Sequence, residues 1–108
     1  MDAYLFVESL DPFESNDVSQ FYDLAAALAR EGKPVTLFLV QNGVLAARRG
    51  ARTGSFGALS QLGVEVLADE FALRERGIRT EGLAPGVRAA PLDVVLDRLV
   101  EGRKALWH

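Results

Sequence analysis

Apolar residues fall along this chain in two rhythms: short unbroken runs, and longer stretches in which they recur every three or four positions. The plainest run is Val35 to Val40, with one hydroxyl, no charge and a high content of β-branched and aromatic residues. A strand buried on both faces reads this way, so the run is expected to be a central parallel strand. It stops at Gln41-Asn42-Gly43. An Asn-Gly pair can close a two-residue hairpin, but Val44 to Arg49 lacks strand alternation and predicts a short helix.

The same reading places the other elements. Ala3 to Val7 is a first strand ending in Glu8-Ser9, followed by a turn-forming loop from Leu10 to Asp17. Val18, Phe21, Tyr22, Ala25, Leu28 and Ala29 form one helical stripe. Asp17 with Gln20 resembles a capping box, and Gly32 and Pro34 end the helix. Ala58 to Leu62 predicts a short helix and Val64 to Ala68 a third strand, ending in Asp69-Glu70. Phe71 to Arg76 is helical, and Ile78 to Ala90 is mostly loop with a short strand near Val87. Pro91 to Val100 carries Leu92, Val95, Leu96 and Leu99 at helical spacing, with Asp93, Asp97 and Arg98 on the other side. Lys104 to His108 is a last strand.

Strands alternating with helices at this spacing predict an α/β fold. The expected form is a three-layer α/β/α sandwich whose mainly parallel sheet has four or five strands, with helices on both faces. At 108 residues the chain reads as a single domain over 1–108, long enough to bury a core without staples.

Composition changes this picture in two places. A net charge of -3 gives no reason to expect nucleic acid or an anionic membrane as partner. With no cysteine, the chain has no disulfide, thiolate metal site, thiol nucleophile or persulfide. Asp2 and an apolar run ending at Val7 do not make a signal segment, which sets the expectation of a cytoplasmic protein.

In a parallel sheet all strand ends lie on one edge, the usual ligand site of such folds. Glu8, Ser9, Gln41, Asn42, Asp69 and His108 are therefore expected to gather there as ligand-binding candidates, with Asp69 and Glu70 the candidates for acid–base chemistry. Glu8 and Asp69 as a magnesium-binding pair is a weaker reading, since a solvated carboxylate is the commoner outcome. Arg48, Arg49 and Arg52 beside Gly50, Gly54, Gly57, Thr53 and Ser55 could cradle an anion, but they lack any nucleotide motif and read rather as a flexible surface loop. His108 is the only histidine, and a histidine so placed is usually frayed. No cofactor or metal is implied.

With these segments placed, the chain resembles the DsrE/DsrF-like family of small sulfur-relay proteins. The resemblance rests on Val-Thr-Leu-Phe-Leu-Val-Gln-Asn-Gly-Val from Val35, Gly-Val-Glu-Val-Leu from Gly63, Ala-Leu-Arg-Glu-Arg-Gly-Ile from Ala72 and the Leu-Trp-His end. It covers nearly the whole chain. It implies a three-layer α/β fold, a cytoplasmic location, and assembly as trimers or hexamers, either of one chain or of related subunits. Family members that move sulfur hold it as a persulfide on a cysteine just after the third strand, and Asp69 stands at or next to that place. Lacking cysteine, this chain is expected to be a non-catalytic or partner subunit; the alternative is a small polar-ligand-binding protein or an acid–base enzyme built around Asp69.

The apolar residues after the central strand, with no long amphipathic helix to bury them, also point to an oligomer. Val44, Leu45, Phe56 and Trp107 are its expected contact residues. A Trp on a marginal strand of so small a domain is hard to cover within one subunit.

Overall fold

The structure is a computed structural model, describing residues 2–51 and 56–108. Its strands are β1 (Tyr4–Glu8), β2 (Val35–Leu39), β3 (Glu65–Asp69), β4 (Val87–Ala90) and β5 (Lys104–Trp107). The α-helices are α1 (Asp17–Arg30), α2 (Phe56–Gln61), α3 (Glu70–Glu75) and α4 (Asp93–Val100), and a 3-10 helix spans Gln41–Ala47.

All five strands pair in parallel in the order β4-β3-β2-β1-β5. The hydrophobic run at Val35 is thus the middle strand, and every residue of β2 is buried. Strand alternation divides the sheet's residues between two unequal faces. On one, Phe6, Val35, Leu37, Leu39, Val66, Ala68 and Val87 meet Val18, Tyr22 and Ala25 of α1, Phe56 and Leu59 of α2, and Leu73 of α3. On the other, Leu5, Val7, Phe38, Leu67 and Ala90 meet, among the described residues, Val94 and Val95 of α4.

Helices lie on both faces as expected, but α4 is turned the other way. Of the stripe Leu92, Val95, Leu96 and Leu99 only Val95 packs on the sheet, beside Val94, whereas Leu92, Leu96, Leu99 and Val100 are exposed and no residue of the helix is fully buried. The reason is an ion pair beneath it. Arg98 donates to Glu65 at 2.8 Å, Glu65 also accepts from Arg88 and from the buried Thr36 hydroxyl, and Arg98 further pairs with Glu101. Drawing Arg98 inward brings Val94 and Val95 onto the sheet and swings the leucines outward.

Three local expectations shift. The capping box does not form, because Asn16 precedes α1 and the Ser15 hydroxyl accepts from the Asp17 N–H at 3.2 Å. The turn after β2 begins at Gln41 rather than Val44 and is 3-10 rather than α-helical. Gly43 sits there against the Glu8 backbone carbonyl, where a Cβ would clash. β1 and β3 each run one residue further than predicted, through Glu8 and Asp69. Of the loop expected between Gly50 and Gly57, residues 52–55 lie outside the described residues.

Candidate functional site

The strand ends do meet on one edge: Glu8 pairs with Leu39, Leu39 with Ala68, and Asp69 with Ala90. Side-chain alternation then splits the polar residues into two groups. Glu8 is in phase with Phe6, on the face covered by α1, whereas Asp69 is in phase with Leu67, on the face covered by α4. Glu8 and Asp69 therefore do not converge, and a magnesium site between them is ruled out by the pleat. Among the described residues no group of three or more His, Asp or Glu is placed to hold a metal ion.

In the first group, the Glu8 side chain has no exposed surface. Its carboxylate accepts from the Leu10 N–H at 3.1 Å, and both its oxygens lie 2.9 Å from His108 Nδ1. His108 is not frayed. Its N–H donates to the Val7 carbonyl, and its own carbonyl accepts from the Ser9 N–H and hydroxyl at 2.9 and 2.8 Å. The imidazole also packs on the Phe21 ring, with centroids 5.4 Å apart. The Tyr22 hydroxyl, on the α1 side of this group, is buried and has no hydrogen-bond partner among the described residues. Burial, with the negative charges of Glu8 and Asp11 adding to it, pushes its phenol well above the ordinary tyrosine range. Tyr22 escaped sequence reading because its position fits a core stripe equally well.

The second group lines a cavity of about 300 Å³ at the carboxyl ends of β2 and β3. Its polar walls are Gln41, Asp69, Glu75 and Arg76, and its apolar walls include Phe71, Leu92 and Trp107. Asp69 caps α3, its Oδ2 accepting from the Ala72 N–H at 3.2 Å. Asn42 stands just outside the cavity and holds Arg76 through its Oδ1, which accepts from Nε at 3.2 Å and Nη2 at 2.9 Å. A third bond, from Nη1 to the Ala72 carbonyl at 3.2 Å, fixes the guanidinium. Gln41 has a φ of 49°, a left-handed conformation that disfavours a side chain. Arg76 was not singled out from the sequence; the available signal was an arginine at the end of a short helix opposite two amides.

Other candidates are dispersed. Glu70 lines a separate open groove of about 1050 Å³ with Leu73, Arg74, Ile78, Arg79 and Glu81, so it does not act with Asp69. Arg48 and Arg49 border a shallow groove with Gly50 and Ala51, while Arg52, Thr53, Gly54 and Ser55 lie outside the described residues. Of the expected contact residues, Val44 and Phe56 are 0 % and 1 % exposed and pack inside the subunit. The 3-10 turn folds Val44 under the sheet edge, and Phe56 meets Tyr22 edge-on, with centroids 5.3 Å apart. Leu45 is half-buried, and its carbonyl accepts from Arg48 Nε. Trp107 is 68 % exposed. Among the described residues no helix is long and apolar enough to cross a membrane.

No family model matches the chain, and no curated protein matches it in sequence. Solved structures do. The ychN protein from E. coli superposes with a TM-score of 0.83 at 25 % identity over the whole of both chains. MTH1491 from Methanobacterium thermoautotrophicum, a protein of unknown function, gives 0.83 at 20 % identity, again over both whole chains. BT1422 from Bacteroides thetaiotaomicron, a conserved protein of unknown function, gives 0.68 at 16 % identity over 97 % of this chain and 94 % of its own. The chain therefore shares its overall fold with these proteins.

Proposed function

We propose that this chain is a DsrE-like subunit that carries no sulfur itself and works in an oligomer, either with its own copies or with cysteine-bearing relatives. One observation carries the reading. At the end of β3, at or next to the place that the resemblance gives the persulfide cysteine, Asp69 is 8 % exposed and its carboxylate caps α3, in a chain with no cysteine. A carboxylate forms no persulfide, and this one is engaged in holding a helix. The full-length likeness to the ychN structure supports the family half of the reading. The cytoplasmic location belongs to the same proposal.

The acid–base alternative has less support. Asp69 accepts a backbone hydrogen bond, Glu70 faces a different groove, and Glu8 lies across the sheet. Incubation with a cysteine desulfurase, cysteine and labelled sulfur tests the main reading, with affinity capture from the source cells beside it. The expected result is no protein-bound label together with recovery of the chain's own copies or of a cysteine-bearing subunit of similar fold. Protein-bound label released by a reductant would overturn it.

A further inference from the structure

The exposed leucines of α4 do not stand alone. Leu92, Leu96, Leu99 and Val100 follow one another at helical spacing along the outer side of the helix, and Leu92 shares the cavity wall with Phe71 and Trp107. These six side chains are between 45 % and 87 % exposed. Together they leave on the order of 700 Å² of largely apolar surface, given the size of such side chains. That exceeds the largest patch of a typical monomer, about 300–600 Å², and approaches the roughly 800 Å² that each partner gives to a stable interface.

We infer that this surface is covered by a second copy of the same chain, and that the cavity at Asp69 and Arg76 is complete only when it is. The inference rests on the oligomeric reading above and names the surface involved. The patch is a single helical stripe extended by two aromatic side chains, the geometry that an isologous contact between two copies of one helix requires. Antiparallel apposition of two copies of α4 also opposes the two helix dipoles. Phe71, Leu92 and Trp107 belong to both the patch and the cavity wall. A second copy seated on them roofs the space into which Gln41, Asp69 and Arg76 face.

Trp107 is the only tryptophan of the chain, so its emission reports on this surface directly. Light scattering after size exclusion and tryptophan emission are measured together across a hundredfold dilution, for the wild type, Leu96→Glu and Val100→Asp. The expected wild-type result is a mass at least twice 11.7 kDa, with emission blue-shifted relative to the diluted sample. Both variants alter exposed positions, so they are expected to keep the wild-type circular dichroism while running as monomers with red-shifted emission. A wild-type monomer at every concentration overturns the inference and the self-association half of the oligomeric reading, leaving only assembly with a cysteine-bearing relative. An oligomer whose mass and emission survive both substitutions overturns this surface alone and leaves that reading standing.

Discussion

His108 Nδ1 lies 2.9 Å from both carboxylate oxygens of Glu8, a residue with no exposed surface. A carboxylate removed from water needs such a partner, since its loss leaves an uncompensated buried charge. The pair also joins two neighbouring strands at the edge of the sheet, because β5 adjoins β1. His108→Ala is expected to destabilise the fold by about 1–3 kcal/mol. Glu8→Leu combined with His108→Ala should recover part of the loss, because the stranded carboxylate is gone. Urea denaturation of the two variants checks this; equal stability of wild type and His108→Ala would show the pair to be energetically idle.

Tyr22 presents the opposite situation, a buried hydroxyl with no partner among the described residues. Removing such a group relieves a desolvation penalty, so Tyr22→Phe is expected to be neutral or to stabilise by about 1 kcal/mol. Burial, then Glu8 and Asp11, raise its folded pKa above the ordinary 10.0. The neutral phenol therefore contributes stability that is fully present below that pH and is lost as pH rises beyond it. Wild-type stability should fall above about pH 10, and Tyr22→Phe should remove the part of that slope due to Tyr22. Denaturation midpoints across alkaline pH provide the comparison.

Acid acts on Glu65. Its partial burial alone would raise its pKa, but hydrogen bonds from Arg98 and Thr36 and the charges of Arg98 and Arg88 outweigh this and hold it below the ordinary 4.5. A depressed folded pKa contributes stability that is present above the unfolded value and is lost as pH falls through the folded one. Glu65→Gln should therefore be less stable than wild type at neutral pH, with the gap closing below pH 4.5. The carboxylate is about one third exposed and screened, so the neutral-pH loss is expected to be on the order of 1 kcal/mol. Thermal melts of both proteins across acid pH decide it, and a gap independent of pH would remove the ion pair from the explanation.

The legibility of this fold from its sequence follows from what each feature depends on. β2 was legible because five consecutive buried positions leave a local imprint, and the common edge of strand ends follows from parallel topology alone. The faces of Glu8 and Asp69 follow from alternation with Phe6 and Leu67, but ending the strands at Val7 and Ala68 left both residues outside the pleat, so that alternation was not applied to them. The stripe on α4 was visible as a stripe, but its direction was not. That depends on Arg98 meeting Glu65, thirty-three residues earlier in the chain, a tertiary pairing with no local signature. Arg76 was missed for the same reason, since its partner Asn42 lies in another element.

Asp69 is the residue on which the functional reading turns, and its stability effect separates two roles. A solvated carboxylate at a strand end is removed at almost no cost, within about 0.5 kcal/mol. Asp69 instead is 8 % exposed, has extended backbone angles, and accepts the Ala72 N–H as the cap of α3. Replacing a capping aspartate by alanine leaves that donor without a partner and typically costs about 1 kcal/mol, whereas asparagine and serine cap about as well. Asp69→Ala should therefore lower stability by about 1 kcal/mol, with Asp69→Asn within a few tenths of wild type. Because α3 also carries Arg76's anchoring carbonyl at Ala72, the alanine variant should loosen the cavity wall as well, seen as faster amide exchange at Ala72 and Leu73. If Asp69→Ala instead matches wild type in both stability and exchange, the carboxylate is not committed to the helix. It is then free to face the cavity, and the acid–base alternative regains the footing that the cap takes from it.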